Sequence, residues 1–114
     1  MKKLLVTLSI LAIFACEEDK PKDFVTFSGT ITNKNSDSIE ISSRHYTKVI
    51  SVNEDGTFSD TLKVETGLYS FYDGTEGTSI FLRNGFELNM TLNANEFDES
   101  IKYSGTGAEH NNFL

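Results

Sequence analysis

Asn84-Gly85-Phe86-Glu87-Leu88-Asn89-Met90-Thr91-Leu92-Asn93 is the stretch whose reading decides the fold. Phe86, Leu88, Met90 and Leu92 alternate without a break with Glu87, Asn89, Thr91 and Asn93. Period two of this kind belongs to a strand with an apolar face turned inward and a polar face left wet. Asn84-Gly85 is the pair that best tolerates positive φ in a tight turn. A hairpin is therefore expected there, joining this strand to Thr78–Arg83, where Ile80 and Leu82 share a face.

The same period recurs on working outward. Val25, Phe27, Gly29 and Ile31 line one face of a first strand, with Phe24, Thr26, Ser28 and Thr30 on the other. After the turn cluster Asn33–Asp37, Ile39 and Ile41 mark a second strand (Ser38–Ser42), and Ile50 and Val52 a third (Tyr46–Val52). Asn53-Glu54-Asp55-Gly56 predicts another hairpin, leading to Thr57–Val64 with Phe58, Leu62 and Val64 pointing one way. Asp60 falls on that apolar face, which places it at an edge or a bulge. Gly67 opens Leu68–Tyr72, Asp73-Gly74-Thr75-Glu76-Gly77 turns the chain, and Asn95–Glu99 connects to a last strand, Ser100–Ser104, carrying Ile101 and Tyr103.

Seven or eight short strands at this spacing predict an all-β protein, a small two-sheet antiparallel β-sandwich over residues 23–105. Thr106-Gly107-Ala108-Glu109 has capping-box form, so a helix should begin near Gly107. Residues 106–114 are too few for a helix that stands alone in water. Either this turn docks on the sandwich, or it starts a helical connector to something longer.

The other end carries a different signal. Behind Lys2 and Lys3 runs Leu4–Ala15, wholly without charge, stopping at Cys16, the single cysteine. Twelve helical residues reach roughly 18 Å, short of the roughly 30 Å hydrocarbon core, so residues 1–15 read as a signal helix for export rather than a membrane span. Ile13-Phe14-Ala15-Cys16 resembles the lipobox of bacterial lipoproteins. The resemblance implies cleavage between Ala15 and Cys16, acyl chains on the Cys16 thiol, and a membrane as partner through those chains. An ordinary secretory signal with an incidental cysteine is the plainer alternative. Glu17-Glu18-Asp19-Lys20-Pro21-Lys22 follows as an acidic tether, residues 16–22. The implied location is the cell envelope, the outer membrane in preference to the inner, with the periplasmic or surface face left open.

Removing residues 1–15 leaves 99 residues, enough for one domain and one modest core. Eight Lys and Arg then stand against seventeen Asp and Glu, a net charge of −9. That balance argues against nucleic-acid binding, which needs clustered cations. With Cys16 acylated no thiol remains for a disulfide, a thiolate metal site or a redox dithiol.

Asp55-Gly56-Thr57-Phe58, the Gly67-x-Tyr69 step, Leu82-x-x-Gly85 and above all Gly105-Thr106-Gly107-Ala108 running to Asn111-Asn112-Phe113-Leu114 resemble the N-terminal β-domain of TlpA-like thiol-disulfide oxidoreductase lipoproteins. In that family the β-domain meets a helical connector and then a thioredoxin-like domain. The resemblance covers about residues 24–114 and implies an accessory, non-catalytic domain, whose partner is an envelope protein or a thioredoxin-like domain. The family's redox work needs a Cys-x-x-Cys, and none occurs in this sequence. A fragment of a longer oxidoreductase and an independent surface module binding glycan or protein are the competing readings.

The remaining chemistry is sparse. No catalytic residue is assigned: no Gly-x-Ser-x-Gly occurs, no pair of carboxylates is marked out for glycoside chemistry, and no enzyme activity or cofactor is expected. His45 and His110 lie in separate segments, short of the three or four ligands of a zinc site, and Asn53–Gly56 and Glu96–Glu99 lack calcium-loop spacing, so no metal is expected. Tyr46, Tyr69, Phe71 and Tyr72 could form a flat ligand platform, though cross-strand packing explains them as well. Asp37-Ser38-Ile39 and Asp60-Thr61-Leu62 resemble short bacterial O-glycosylation acceptors, with Ser38 and Thr61 as the modified residues. Asn89-Met90-Thr91 has acceptor form too, but in mid-strand.

Overall fold

The structure, a computed structural model, describes residues 23–113. The signal segment 1–15, the tether 16–22, Ala15 and Cys16 lie outside the described residues. One sheet contains β1 (Val25–Thr32), β4 (Thr57–Leu62), β7 (Glu87–Asn93) and β8 (Lys102–Gly105), in the order β4-β1-β7-β8. The other contains β2 (Ser38–Ser43), β3 (Tyr46–Ser51), β5 (Gly67–Tyr72) and β6 (Gly77–Leu82), in the order β3-β2-β5-β6. A 3₁₀ turn (Ala94–Glu96) and a short helix α1 (Phe97–Ser100) link β7 to β8, and α2 (Ala108–Asn111) follows β8. This is the expected two-sheet sandwich.

Alternation builds the core. Val25, Phe27 and Ile31 from β1 and Leu88, Met90 and Leu92 from β7 are buried against Ile39, Ile41, Phe71, Ile80 and Leu82 of the facing sheet. Phe27 sits at the middle, 5.1 Å from Phe58 and 6.3 Å from Phe71 between ring centroids, and α1 adds Phe97 at 6.5 Å from Phe71. Each such side chain contributes about 1.5–3 kcal/mol by leaving water. Asp60, the residue out of pattern, lies on the edge strand β4 as its position required. Its carboxylate reaches Lys48 Nζ of β3 at 3.5 Å, linking the margins of the two sheets.

The connectivity corrects two expectations. Asp55-Gly56 and Asn84-Gly85 both turn the chain, with Gly56 at φ 88° and Gly85 at φ 103°, yet neither closes a hairpin. β3 and β4 belong to different sheets, as do β6 and β7, so each turn is an arch between layers. Both layers point apolar residues inward, so alternation runs through an arch as it does through a hairpin. The hairpins are β2–β3 and β5–β6.

The sandwich also departs from an all-antiparallel arrangement, because β1 pairs parallel with β7 from Thr26↔Glu87 to Thr32↔Asn93. Gly29 sits opposite Met90 in that ladder, and a Cβ there would come 2.2 Å from Met90 O and 2.7 Å from the Phe58 ring. Glycine is what lets Phe58 lie across β1.

The capping box is not formed. Gly107 takes the N-cap position of α2 at φ 100°, a left-handed conformation, and no side chain caps the helix. Thr106 instead donates its amide to Glu87 O at 3.1 Å. Ser100 belongs to α1, and the last strand begins at Lys102. The terminal helix docks on the sandwich.

Candidate functional site

Four polar side chains of the described residues, two of them buried, hold backbone. Asn111 is 3% exposed and acts as a stand-in peptide for β6: its Oδ1 accepts from Phe81 N at 2.7 Å, and its Nδ2 donates to Phe81 O at 3.0 Å and Gly107 O at 3.0 Å. Asn112 does the same for β8, accepting from Tyr103 N at 3.1 Å and donating to Tyr103 O at 3.3 Å. Asn84 clamps Val64, accepting from its N at 3.1 Å and donating to its O at 2.9 Å. Asp73, 2% exposed, caps its own turn by accepting from Thr75 N (2.9 Å) and Glu76 N (2.8 Å), while Asn35 Nδ2 donates to its other oxygen at 3.0 Å. Sequence reading placed Asn84 and Asp73 in turns but gave none of these four the task of clamping backbone. Asn111 and Asn112 stood in the quoted run, but only their placement beside a strand edge thirty and nine residues back reveals their task.

The two flanks of the sandwich differ as a result. Between β6 and β8, α2 fills the gap and His110 stacks on Phe81 at 5.2 Å and lies 5.6 Å from Phe86. The Arg83 guanidinium covers the same two rings at 5.5 and 5.7 Å, a cation–π arrangement. Between β3 and β4 no helix intervenes, and two hollows open. The larger, about 830 Å³, lies at the end where the chain enters from Asp23 and is lined by Arg44, His45, Tyr46, Lys63 and Tyr69 among others. The smaller, about 470 Å³, lies alongside Val49, Ile50, Phe58 and Asp60. The Lys48–Asp60 pair stands between the strands here.

Tyr46 and Tyr69 meet edge to face with centroids 5.6 Å apart on the wall of the larger hollow, and Tyr69 donates its hydroxyl to Glu65 O at 2.7 Å. Burial pushes both phenols above their ordinary pKa, with the nearby Asp60 charge adding to the effect at Tyr46. The four-aromatic platform does not assemble, since Phe71 is fully buried and Tyr72 stands on the opposite face of β5.

His45 lines the larger hollow and His110 sits on α2, so the two histidines are not brought together. Among the described residues no group of three His, Cys, Asp or Glu could hold a metal ion. Asp55 is occupied within its turn: the Thr57 hydroxyl (2.6 Å) and amide (3.0 Å) donate to it and hold its carboxyl below the usual range. Ser38 is half-buried at the start of β2, its amide donating to Ser36 Oγ at 3.3 Å, whereas Thr61 is exposed on the edge strand β4. Asn89 lies mid-strand in β7 and accepts from Ser28 Oγ at 3.2 Å. Among the described residues no helix is long and apolar enough to cross a membrane.

No family model, characterised protein or solved structure matches the chain.

Proposed function

We propose that this protein is an exported lipoprotein, anchored through acyl chains on Cys16, whose β-sandwich serves as a non-catalytic accessory or interaction domain. It is similar in that respect to the N-terminal domain of TlpA-like redox lipoproteins. The observation that carries the reading is the uncharged run Leu4–Ala15 ending at the lone Cys16 and followed at once by Glu17-Glu18-Asp19. β1 starts at Val25, nine residues on. Covalent geometry limits that interval to about 30 Å, so the body would ride close to the bilayer. Several acyl chains on one sulfur hold far more firmly than one, each methylene adding about 0.8 kcal/mol.

What the body offers a partner is surface and sheet edge. Its buried Asn and Asp groups are engaged in tying loops to strands. An outer-membrane location and a thioredoxin-like or other envelope partner complete the proposal. Metabolic labelling with palmitate tests the anchor: label is expected on the wild-type protein and not on Cys16→Ser, which should leave the membrane fraction. A wild-type chain that takes no label, or a Cys16→Ser chain that stays in the membrane, removes the reading.

A further inference from the structure

Of the nine asparagines in the sequence, only Asn84 precedes a glycine. That pairing is chemically the least durable an asparagine can have. Glycine has no Cβ to shield its amide nitrogen, so the nitrogen can reach the carbonyl carbon of the preceding side chain. In this fold both reacting groups are occupied. Asn84 Oδ1 accepts from Val64 N at 3.1 Å, and its Nδ2 donates to Val64 O at 2.9 Å. The Gly85 amide donates to Phe24 O at 2.8 Å. Three segments are thereby tied at one corner: the entry to β1, the crossing from β4 to β5, and the arch from β6 to β7. The corner is held but not sealed. Asn84 and Gly85 are half-buried, and Asn84 lies with Val64 on the wall of the larger hollow.

We infer that Asn84 is a deamidation site whose reaction is gated by opening of this corner and, once complete, keeps the corner from closing again. The Gly85 nitrogen, after giving its proton to hydroxide, attacks Asn84 Cγ. The new C–N bond closes a five-membered succinimide as the Cγ–Nδ2 bond breaks, and Nδ2 leaves as ammonia with a proton taken from water. A water molecule then opens the ring at one carbonyl or the other, giving aspartate or its β-linked isomer. The net change is amide plus water to carboxylic acid plus ammonia, with nothing oxidised or reduced. Attack cannot start while Phe24 O holds the amide proton and Val64 holds the side chain. An opening that breaks three hydrogen bonds leaves the reactive form at on the order of one part in a hundred. The product does not resume the clamp. A carboxylate keeps the bond from Val64 N but sets an oxygen against Val64 O, where an amide nitrogen stands at 2.9 Å. The β-linked product also lengthens the main chain of the arch.

The test needs no ligand and is independent of the lipid. The full chain in neutral detergent is incubated at mildly alkaline pH, both folded and in denaturing guanidinium. Digests are then mapped by mass for acid in place of amide at each asparagine, and an isoaspartate assay counts the β-linked product. In the unfolded chain Asn84 should convert ahead of every other asparagine, and in the folded chain about a hundredfold more slowly. As guanidinium is raised below the unfolding transition, the rate at Asn84 should climb in step with hydrogen exchange at the Val64 and Gly85 amides. Asn84→Asp, the α-linked product, should exchange its Val64 amide about tenfold faster than wild type, with the β2–β3 hairpin unaltered. Should that variant fail to fold, the folded-to-unfolded rate ratio of the wild-type chain decides alone. Equal rates in the two states, another asparagine converting first, a rate at Asn84 that ignores the exchange of Val64 and Gly85, or wild-type exchange at Val64 in a folded Asn84→Asp chain would each overturn the inference.

Discussion

Replacing Asn111 tests how the flank between β6 and β8 is held shut. Asn111→Ala removes three hydrogen bonds of 2.7, 3.0 and 3.0 Å from a side chain 3% exposed. At about 1 kcal/mol each the loss is about 3 kcal/mol, and more if the Phe81 and Gly107 groups stay dry after truncation. Against a typical total of about 5–15 kcal/mol that is a large share. Asn112→Ala breaks a clamp of the same design, but at 3.1 and 3.3 Å in an exposed position where water substitutes, so less than about 1 kcal/mol is expected. Asn111→Asp separates the peptide-mimic account from simple packing. The isosteric carboxylate would keep the bond from Phe81 N but set an oxygen against Phe81 O and Gly107 O. It should be at least as damaging as alanine at neutral pH. Burial among carbonyls raises that carboxyl's folded pKa above its unfolded value, so the neutral form is the one that fits. The variant's stability should therefore be highest at low pH and fall as pH rises through the folded pKa. Urea unfolding followed by circular dichroism reads all three. With a slope of about 1 kcal/mol per molar, Asn111→Ala should lower the midpoint by roughly 2–3 M. Equal midpoints for Asn111→Ala and Asn112→Ala, or an Asn111→Asp protein as stable as wild type at neutral pH, would refute the reasoning.

Other positions give equally direct tests. Gly29→Ala drives a Cβ to within 2.2 Å of Met90 O and 2.7 Å of Phe58, so about 3 kcal/mol or more should be lost; a melting temperature unchanged within error would be inconsistent with that packing. Asp73→Ala leaves the amides of Thr75 and Glu76 without their carboxylate and should cost about 2 kcal/mol, with faster hydrogen exchange confined to the β5–β6 turn. Burial pushes the Tyr103 phenol up to about 12, so the native state keeps a proton that the unfolded chain loses near pH 10. Stability should be intact below pH 10 and decline as pH climbs toward 12, and Tyr103→Phe should flatten that decline in alkaline denaturation; an identical slope in the variant would contradict it.

Much of the fold was legible because alternation reports burial directly. Phe86, Leu88, Met90 and Leu92 are all buried, as their period required, and Asp60 sits at an edge where its charge can reach Lys48. The arches at Gly56 and Gly85 were not legible as arches. A glycine with positive φ serves a hairpin and a layer change equally, and the choice depends on which strands find each other later. The β1–β7 pairing had no local sign at all, being made between segments about sixty residues apart. Thr106 looked like a helix cap because its spacing to Glu109 was right, but the left-handed Gly107 intervenes. Around the candidate site the positions of His45, Lys63 and Arg44 could not be joined from the sequence, since the turn after β2 and the segment after β4 meet only when both sheets stack.

The parallel ladder between β1 and β7 has a consequence for timing. β1 lies between neighbours that emerge about thirty and sixty residues after it, so it lacks one of its two partners until residue 93 is free, and the sheet is complete only once β8 follows. Long-range closure of this kind is slow, on the order of milliseconds to seconds in small all-β domains. Until then Val25, Phe27 and Ile31 are sticky ends without a home, and shortened chains that stop before β7 should clump instead of folding.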